Sequence, residues 1–259
     1  MTAHRGPENP LLHRVFCGVV VVAAAIVSYL GFFQPRQMDE SFTWATLPPL
    51  HARFVGSLYL FGAVYLAGGA LLRRRRQVAP MMLAIGLFTG AMGLLTLLNR
   101  EAFDLDLGPV QAWVASYTIY PAIAFFLAWH YRHLAGDPVG GRPLPRWSRL
   151  ALGGQALVLG LVGAVGFVAR SSLADVWPWK VTPGLAQMYG GVFLALAFVS
   201  WAHARARSAA ELASAAPAGL AFAAAALASS LVHRSLFDAG RPATWVWFGL
   251  LGAIGFANL

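Results

Sequence analysis

The chain has 259 residues, of which 58% are hydrophobic and only 11% are charged, with a net charge of +9. Because soluble domains carry about 25% charged residues, this composition excludes an ordinary soluble fold and predicts a membrane protein. Cys17 is the single cysteine, so an internal disulfide is excluded. Without a Cys/His cluster we expect no metal site and no cofactor.

Eight segments are long and apolar enough to cross a bilayer, which takes about 20 mostly apolar residues. In chain order the predicted spans are Arg14–Phe33, Phe54–Leu72, Ala79–Leu98, Pro109–Tyr131, Leu150–Ala169, Pro183–Ala202, Ala216–Val232 and Ala243–Leu259. Arg5 and Arg14 ahead of an apolar run resemble the start of a signal peptide. The first span is nevertheless predicted to be retained, because it matches the fifth span.

Charged loop residues predict the orientation, because cytoplasmic loops carry an excess of Lys and Arg. With the N-terminus in the cytoplasm, 12 of the 19 cations but only 3 of the 10 acids lie on the cytoplasmic side. Both termini are then cytoplasmic. The run Arg73–Arg76 is interpreted as a stop-transfer anchor at anionic headgroups. We expect a bacterial inner membrane location, with the lipid bilayer and not nucleic acid as the partner.

The chain also contains an internal repeat. Residues 31–64 align without a gap on residues 166–199, and residues 99–104 match residues 233–238 at a spacing of 134. With four spans each, both copies enter the membrane from the same side and form parallel repeats.

The predicted fold is therefore all-α: a polytopic membrane protein with eight transmembrane helices in two tandem parallel four-helix repeats. The first repeat covers residues 1–133 and the second covers residues 150–259. Residues 134–149, which contain Gly and Pro pairs, are predicted to form a cytoplasmic linker between them.

One repeated stretch lies between the first and second helix of each repeat. Its matching members are an upstream acid, a tryptophan and a proline: Glu40, Trp44 and Pro48 in the first copy, and Asp175, Trp179 and Pro183 in the second. Two interpretations are open. The stretch is an interfacial lead-in, with the tryptophan half-buried at the headgroups and the proline in the first helical turn. Alternatively, it is an aromatic lid over a ligand cavity between the halves.

The other repeated element is an Arg-x-x-x-Asp pattern, Arg100/Asp104 and Arg234/Asp238. If the helix continues, each pair lies on one face, one turn apart. The charges could pair within each copy, or across the repeat axis to clamp the two halves. The alternative is that the arginines bind an anionic headgroup or carboxylate.

Small residues at helical spacing predict close helix packing, as is usual in membranes. The candidate packing positions are Gly86 and Gly90, Gly160 and Ala164, and Gly249, Gly252 and Gly255.

The spans contain essentially no ionisable residues, which argues against proton pumps, cation channels and voltage sensors. Polar groups there are few, among them Gln155, Tyr59, Tyr65, Tyr117 and Tyr120. The histidines lie near span ends, and no phosphate loop, nucleophile elbow or zinc-protease motif is present. We therefore assign no catalytic and no metal-binding residue.

Most of the chain resembles a group of bacterial multi-pass membrane proteins with tandem four-helix repeats. The segments that carry the resemblance are residues 44–56, 94–104 and 177–183. The resemblance implies no activity. Within the gapless alignment, Met188 stands where Arg53 would match.

Three functional hypotheses follow. The first is a non-enzymatic scaffold or accessory subunit that binds a membrane protein partner. The second is a binder or transporter of a lipid or a small apolar or amphipathic molecule, held between the repeats near the tryptophans and arginines named above. The third is a lipid-modifying enzyme that uses Asp104, Asp238 or His233.

Overall fold

The computed structural model describes residues 11–41, 49–71, 75–132 and 141–258, without the side chains of 39–41 and 75–77. These residues form ten α-helices and three short 3₁₀ turns. The helices are α1 (Leu11–Phe33), α2 (Pro35–Ser41), α3 (Pro49–Leu71), α4 (Arg75–Leu98), α5 (Gly108–Arg132), α6 (Arg146–Val168), α7 (Arg170–Val176), α8 (Pro183–Ala204), α9 (Ala215–Val232) and α10 (Pro242–Ala257).

The prediction of an all-helical membrane protein is confirmed. Seven described helices are long and apolar enough to cross a membrane: α1, α3, α4 from Val78 onward, α5, α6, α8 and α9. The eighth predicted span corresponds to α10, which has 16 residues. That length is about 24 Å, shorter than the hydrocarbon core of about 30 Å.

Two short helices were not predicted. α2 follows α1 and α7 follows α6, each with seven residues. Their sequences are too short and too polar to stand out as apolar spans. Each lies between one long helix and the connection to the next long helix.

The second helix of each predicted repeat begins at a proline. Pro183 is the first residue of α8, as predicted, and the Thr182 hydroxyl caps this helix by accepting from the Leu185 N–H at 3.2 Å. α3 begins at Pro49, one residue after the predicted Pro48, which lies outside the described residues. Proline suits this position because the first amide of a helix has no intrahelical partner.

Glycines bring two pairs of long helices into backbone contact. A Cβ on Gly31 of α1 would lie 2.5 Å from the Ala52 carbonyl oxygen and 2.9 Å from the Gly56 Cα on α3. The same arrangement joins α6 to α8, where a Cβ on Gly166 would lie 3.0 Å from the Gly190 Cα. Only glycine permits this approach. The α1–α3 and α6–α8 pairs are therefore the tightest units of the bundle.

The predicted packing faces are confirmed in part. Gly86 and Gly90 of α4 face α5, since a Cβ on Gly86 would meet the Phe125 ring at 2.7 Å. The prediction is wrong for Gly249 and Gly252 of α10, because a Cβ on either would have no described atom within 4 Å. These two glycines lie on the outward face of α10.

The remaining contacts assemble the bundle. α4 packs on α5, α3 packs on α9, and α4 packs on α8. We call the end that holds the C-termini of α1, α4, α6 and α9 the distal end, and the opposite end the proximal end. At the proximal end, the chain before α6 is tied to the chain after α8: the Leu144 N–H donates to the Arg207 carbonyl at 3.2 Å.

We expect Gly31→Ala to destabilise the full chain in detergent by about 1–3 kcal/mol, because the added methyl group meets backbone atoms that cannot rotate away. Gly154→Ala on α6 is the matched control, since its Cβ would meet nothing within 4 Å. Thermal melting of both variants measures the difference. Equal melting temperatures would show that α1 and α3 do not meet at Gly31.

Candidate functional site

The main cavity of the described structure has a volume of about 430 Å³ and lies between α1, α3, α4 and α5, with α8 closing one side. Its wall is almost entirely apolar, and the described residues that line it include no Asp, Glu, Lys, Arg or His. The volume falls in the range of small-molecule sites, about 300–1,000 Å³. The wall therefore suits an uncharged, apolar molecule.

The cavity is closed at the proximal end. There α1 meets α5 through a hydrogen bond of 3.1 Å between His13 Nδ1 and the Tyr131 hydroxyl, and through the edge-on rings of Phe16 and Tyr120. At the distal end, Met38 of α2 and Phe103 line the cavity and are themselves buried. Both ends of the bundle therefore cover the cavity.

Its mouth opens sideways, between α1 and α5. Ile26 of α1 lines the cavity and is also 55% exposed on the outer surface of the bundle. Ala112 of α5 likewise lines the cavity and is exposed. This surface belongs to helices that are long and apolar enough to span a membrane.

The wall carries a few hydroxyl groups, and those of Tyr59 on α3 and Tyr117 on α5 form a hydrogen bond with each other. The Phe88 ring of α4 lies edge-on to both tyrosine rings, with centroids 6.3 Å and 6.1 Å away. A Cβ on Gly93 would lie 2.5 Å from the Tyr117 carbonyl oxygen, so this glycine lets α5 approach α4 at that level. The close approach holds Tyr117 within reach of α3.

The Tyr59–Tyr117 pair lies near the middle of two helices that are long and apolar enough to span a membrane. Tyr59 is ten residues from the distal start of α3, and Tyr117 is nine residues from the distal start of α5. At a helical rise of 1.5 Å per residue, these intervals are about 15 Å and 14 Å. Half of the hydrocarbon thickness is about 15 Å.

Trp179, a predicted site residue, does not line this cavity. It is only 3% exposed and lies in an aromatic core with Phe54 and Trp247. The ring is therefore not half-buried as the lead-in interpretation expected, because its N–H donates to a protein partner, His51 Nδ1, at 3.3 Å. Trp44 lies outside the described residues, so the first copy of the stretch remains a prediction.

His51 organises this aromatic core and was not predicted to do so. Its Nε2–H donates to the Lys180 carbonyl at 3.0 Å, which leaves Nδ1 as an acceptor. Nδ1 accepts from the Tyr189 hydroxyl at 2.9 Å as well as from Trp179. The neutral ring thus joins the start of α3 to the chain before α8 and to α8 itself.

The acids of the repeated stretch contribute no described contact to the cavity. The Asp175 side chain is exposed, and its backbone carbonyl accepts from the Arg241 guanidinium at 2.8 Å. The side chain of Glu40 lies outside the described residues.

The Arg-x-x-x-Asp residues do not share a helical face. α4 and α9 end before them, and Arg100 and Arg234 each open a 3₁₀ turn that leads to an extended residue. Asp104 and Asp238 instead accept backbone N–H groups two residues on, at 3.0 Å and 2.8 Å. All four side chains are exposed, and the described structure contains no ion pair among them. The crossed clamp is therefore not formed by these residues.

A different set of residues makes crossed contacts at the distal end. Arg53 of α3 donates to the Phe32 carbonyl at 3.3 Å and to His233 Nε2 after α9. Gln187 of α8 makes the matching pair of contacts. Its amide donates to the Phe167 carbonyl at 3.1 Å, and its side-chain oxygen accepts from Asn99 at 3.4 Å.

These contacts change one detail of the sequence alignment. They pair Arg53 with Gln187, at an interval of 134, rather than with Met188. The helix boundaries agree, because α6 and α7 follow α1 and α2 at an interval of 135, whereas α8 follows α3 at 134. The connection between α7 and α8 is thus one residue shorter than the connection between α2 and α3. A gapless alignment therefore shifts every residue after this connection by one position.

The sequence contains the residues of the cavity but does not show that they lie together. Tyr59 and Tyr117 are polar groups within predicted spans. Their similar distance from the distal helix ends indicates that they lie at a similar height in the bundle. Whether they contact each other depends on which helices are neighbours, and the sequence does not show this. The predicted position between the repeats also differs, because the cavity is lined mainly by α1, α3, α4 and α5.

Fold and cavity together define an all-helical membrane protein with an apolar cavity among its long helices. Comparison of the chain with protein-family models, curated proteins and solved structures finds no match. The function is therefore argued from the geometry of the cavity.

The Arg53–His233 contact predicts a pH dependence. Burial, and then the Arg53 cation, lower the pKa of His233 below its ordinary value of about 6.5. As the pH falls below that value, the unfolded chain takes up a proton before the folded chain does, so stability is lost. When the pH is lowered from about 7.5 to about 5.5, the melting temperature of the wild type should therefore fall more than that of His233→Asn. An equal loss in both proteins would contradict this.

Proposed function

We propose that this protein binds an uncharged apolar molecule that enters the cavity from the bilayer, between α1 and α5. The observation that carries the proposal is the lateral mouth at Ile26 and Ala112, which opens an apolar cavity of about 430 Å³ to the hydrocarbon region. A molecule dissolved in the bilayer could reach this site without crossing water.

The lipid around the bundle limits which interactions can contribute to binding affinity. Lipid tails are as apolar as the cavity wall, so moving an apolar molecule from lipid into the cavity gains little from the hydrophobic effect. Binding must come from shape complementarity and from polar contacts that lipid cannot offer. The cavity provides a concave wall and a few hydroxyl groups, among them the hydrogen-bonded pair of Tyr59 and Tyr117, which favours selective binding of a particular molecule over general uptake of lipid.

Gly62 offers a direct test, because it lines the cavity and a Cβ built on it meets nothing within 4 Å. We expect Gly62→Leu to fill part of the cavity without disturbing the helices. The full chain, purified gently from its native membrane, should carry a bound small molecule by native mass spectrometry. Its occupancy should fall at least about tenfold in Gly62→Leu, as expected when about 1.4 kcal/mol of binding is lost.

Gly154→Leu is the matched control, since Gly154 has equally open surroundings and lies outside the cavity. This variant should retain the molecule. Equal occupancy in both variants, or a wild-type protein with no bound molecule under any mild extraction, would contradict the proposal.

We further propose that α10 forms an eighth span and that the bundle consists of two parallel four-helix repeats. The paired contacts of Arg53 and Gln187 and the constant helix intervals support this. An N-terminus in the cytoplasm of a bacterial inner membrane rests on the loop charges. Membership of the group of multi-pass proteins with tandem repeats rests on the resemblance of residues 44–56, 94–104 and 177–183.

A second candidate function is that of a scaffold or accessory subunit, favoured by the outward face of α10. Gly249 and Gly252 lie there without a described neighbour, beside the exposed side chains of Val246 and Phe256. Small residues allow another membrane helix to pack closely. A stoichiometric partner should then copurify from the native membrane and be lost in Gly252→Leu but not in Gly154→Leu. Purification of the protein always alone would count against this function.

A further inference from the structure

We infer that the molecule bound in the cavity is lipid-soluble and uncharged and carries a carbonyl or hydroxyl oxygen, which hydrogen-bonds to the Tyr59–Tyr117 pair near mid-depth of the bilayer. This inference rests on the proposed function and names the chemical class of the ligand.

The number of donors in the pair is the first argument. Two tyrosine hydroxyls bring two O–H groups, and their mutual hydrogen bond uses one of them. Within the part of the chain that the structure describes, neither hydroxyl makes another hydrogen bond. A buried donor left without a partner costs about 1–3 kcal/mol. An oxygen acceptor on the ligand would remove that cost.

The depth of the pair is the second argument. Phospholipid headgroups stay at the interface, about 15 Å from the middle of the bilayer. Both tyrosines lie about that far from the distal helix ends, so the headgroup of a phospholipid cannot reach them. An acyl chain could enter the cavity, but it offers no oxygen at this depth. A molecule that dissolves wholly in the hydrocarbon region can place its oxygen there.

Charge is the third argument. The described lining contains no cation that could stabilise a carboxylate and no acid that could stabilise an amine. A charge at the centre of a bilayer costs several kcal/mol when it is unpaired. Fatty acid anions and amphiphilic amines are therefore excluded. A long-chain ketone, a long-chain alcohol or an isoprenoid with a carbonyl group fits all three conditions.

The surroundings of the pair strengthen a hydrogen bond made there. Phe88 flanks both tyrosines, and the Trp113 ring lies 4.2 Å from the Tyr117 ring, centroid to centroid. The Trp113 N–H is already used, since it donates to the Thr96 hydroxyl at 2.9 Å. These rings surround the hydroxyl pair with apolar surface, and hydrogen bonds gain strength in such a low-dielectric environment. The tyrosine hydroxyls are the donors placed for a ligand.

A matched pair of probes tests the inference: 2-tridecanone, which has one carbonyl oxygen, and n-tridecane, which has none. Delipidated full-length protein in detergent is incubated with both, and native mass spectrometry gives their relative occupancy. The wild type should prefer the ketone by about fivefold, the ratio that corresponds to one neutral hydrogen bond of about 1 kcal/mol.

The tyrosine variants should behave in a characteristic way. Tyr59→Phe leaves the Tyr117 O–H free for the ketone, and Tyr117→Phe leaves that of Tyr59, so each single variant should keep the preference. The double variant has no hydroxyl in the pair and should bind both probes equally. Tyr120→Phe is the control, because Tyr120 also lines the cavity but has no hydrogen bond to the pair, and it should keep the preference.

The outcomes separate the two proposals. If Gly62→Leu excludes both probes while the double Phe variant still prefers the ketone, the hydroxyl pair is not the contact and the inference is overturned, whereas the cavity proposal stands. An equal affinity of the wild type for ketone and alkane also overturns the inference. If Gly62→Leu binds both probes as well as the wild type does, the proposed function itself fails.

Discussion

The close approach of α1 to α3 at Gly31 and Gly56 determines where the cavity lies. With no Cβ between them, the two backbones touch near the distal end, and α1 is held against α3 rather than against α5. At the proximal end α1 reaches α5 through His13 and Phe16. Between these two attachments α1 does not close on α5, and the space left between the helices is the cavity. A larger residue at Gly31 would move α1 and change the whole wall.

The cavity occurs where the two halves of the chain differ. α10 occupies the position along the chain that α5 holds in the first half, but it is nine residues shorter, and the space beside it is only about 50 Å³. At an interval of 134, Tyr59 and Tyr117 correspond to Phe193 and Leu251. The second half therefore has neither the volume nor the hydroxyl pair.

The sequence predicted most of the fold and little of the site. Helix positions follow from long apolar runs, so α8 and α9 were placed within two residues of their observed ends. The Arg-x-x-x-Asp pattern at Arg100 and Arg234 led to the wrong prediction of charges on one helical face. The backbone leaves the helix at Asn99 and His233, and the charged side chains are exposed. Trp179 looked interfacial by residue type, but its N–H finds His51, a partner 128 positions away. The Tyr59–Tyr117 pair depends on the same kind of long-range neighbour, which periodicity and local spacing do not reveal.

The central claim is that an uncharged, oxygen-bearing molecule occupies a lateral cavity between α1 and α5. An experimental structure of the full chain, extracted with its native lipids into nanodiscs, tests it most directly. The account predicts density for an elongated molecule that enters between Ile26 and Ala112, with an oxygen within about 3.2 Å of the Tyr59 or Tyr117 hydroxyl. A structure in which α1 packs on α5 along its whole length, or in which the cavity holds only the acyl chain of a phospholipid, would contradict it.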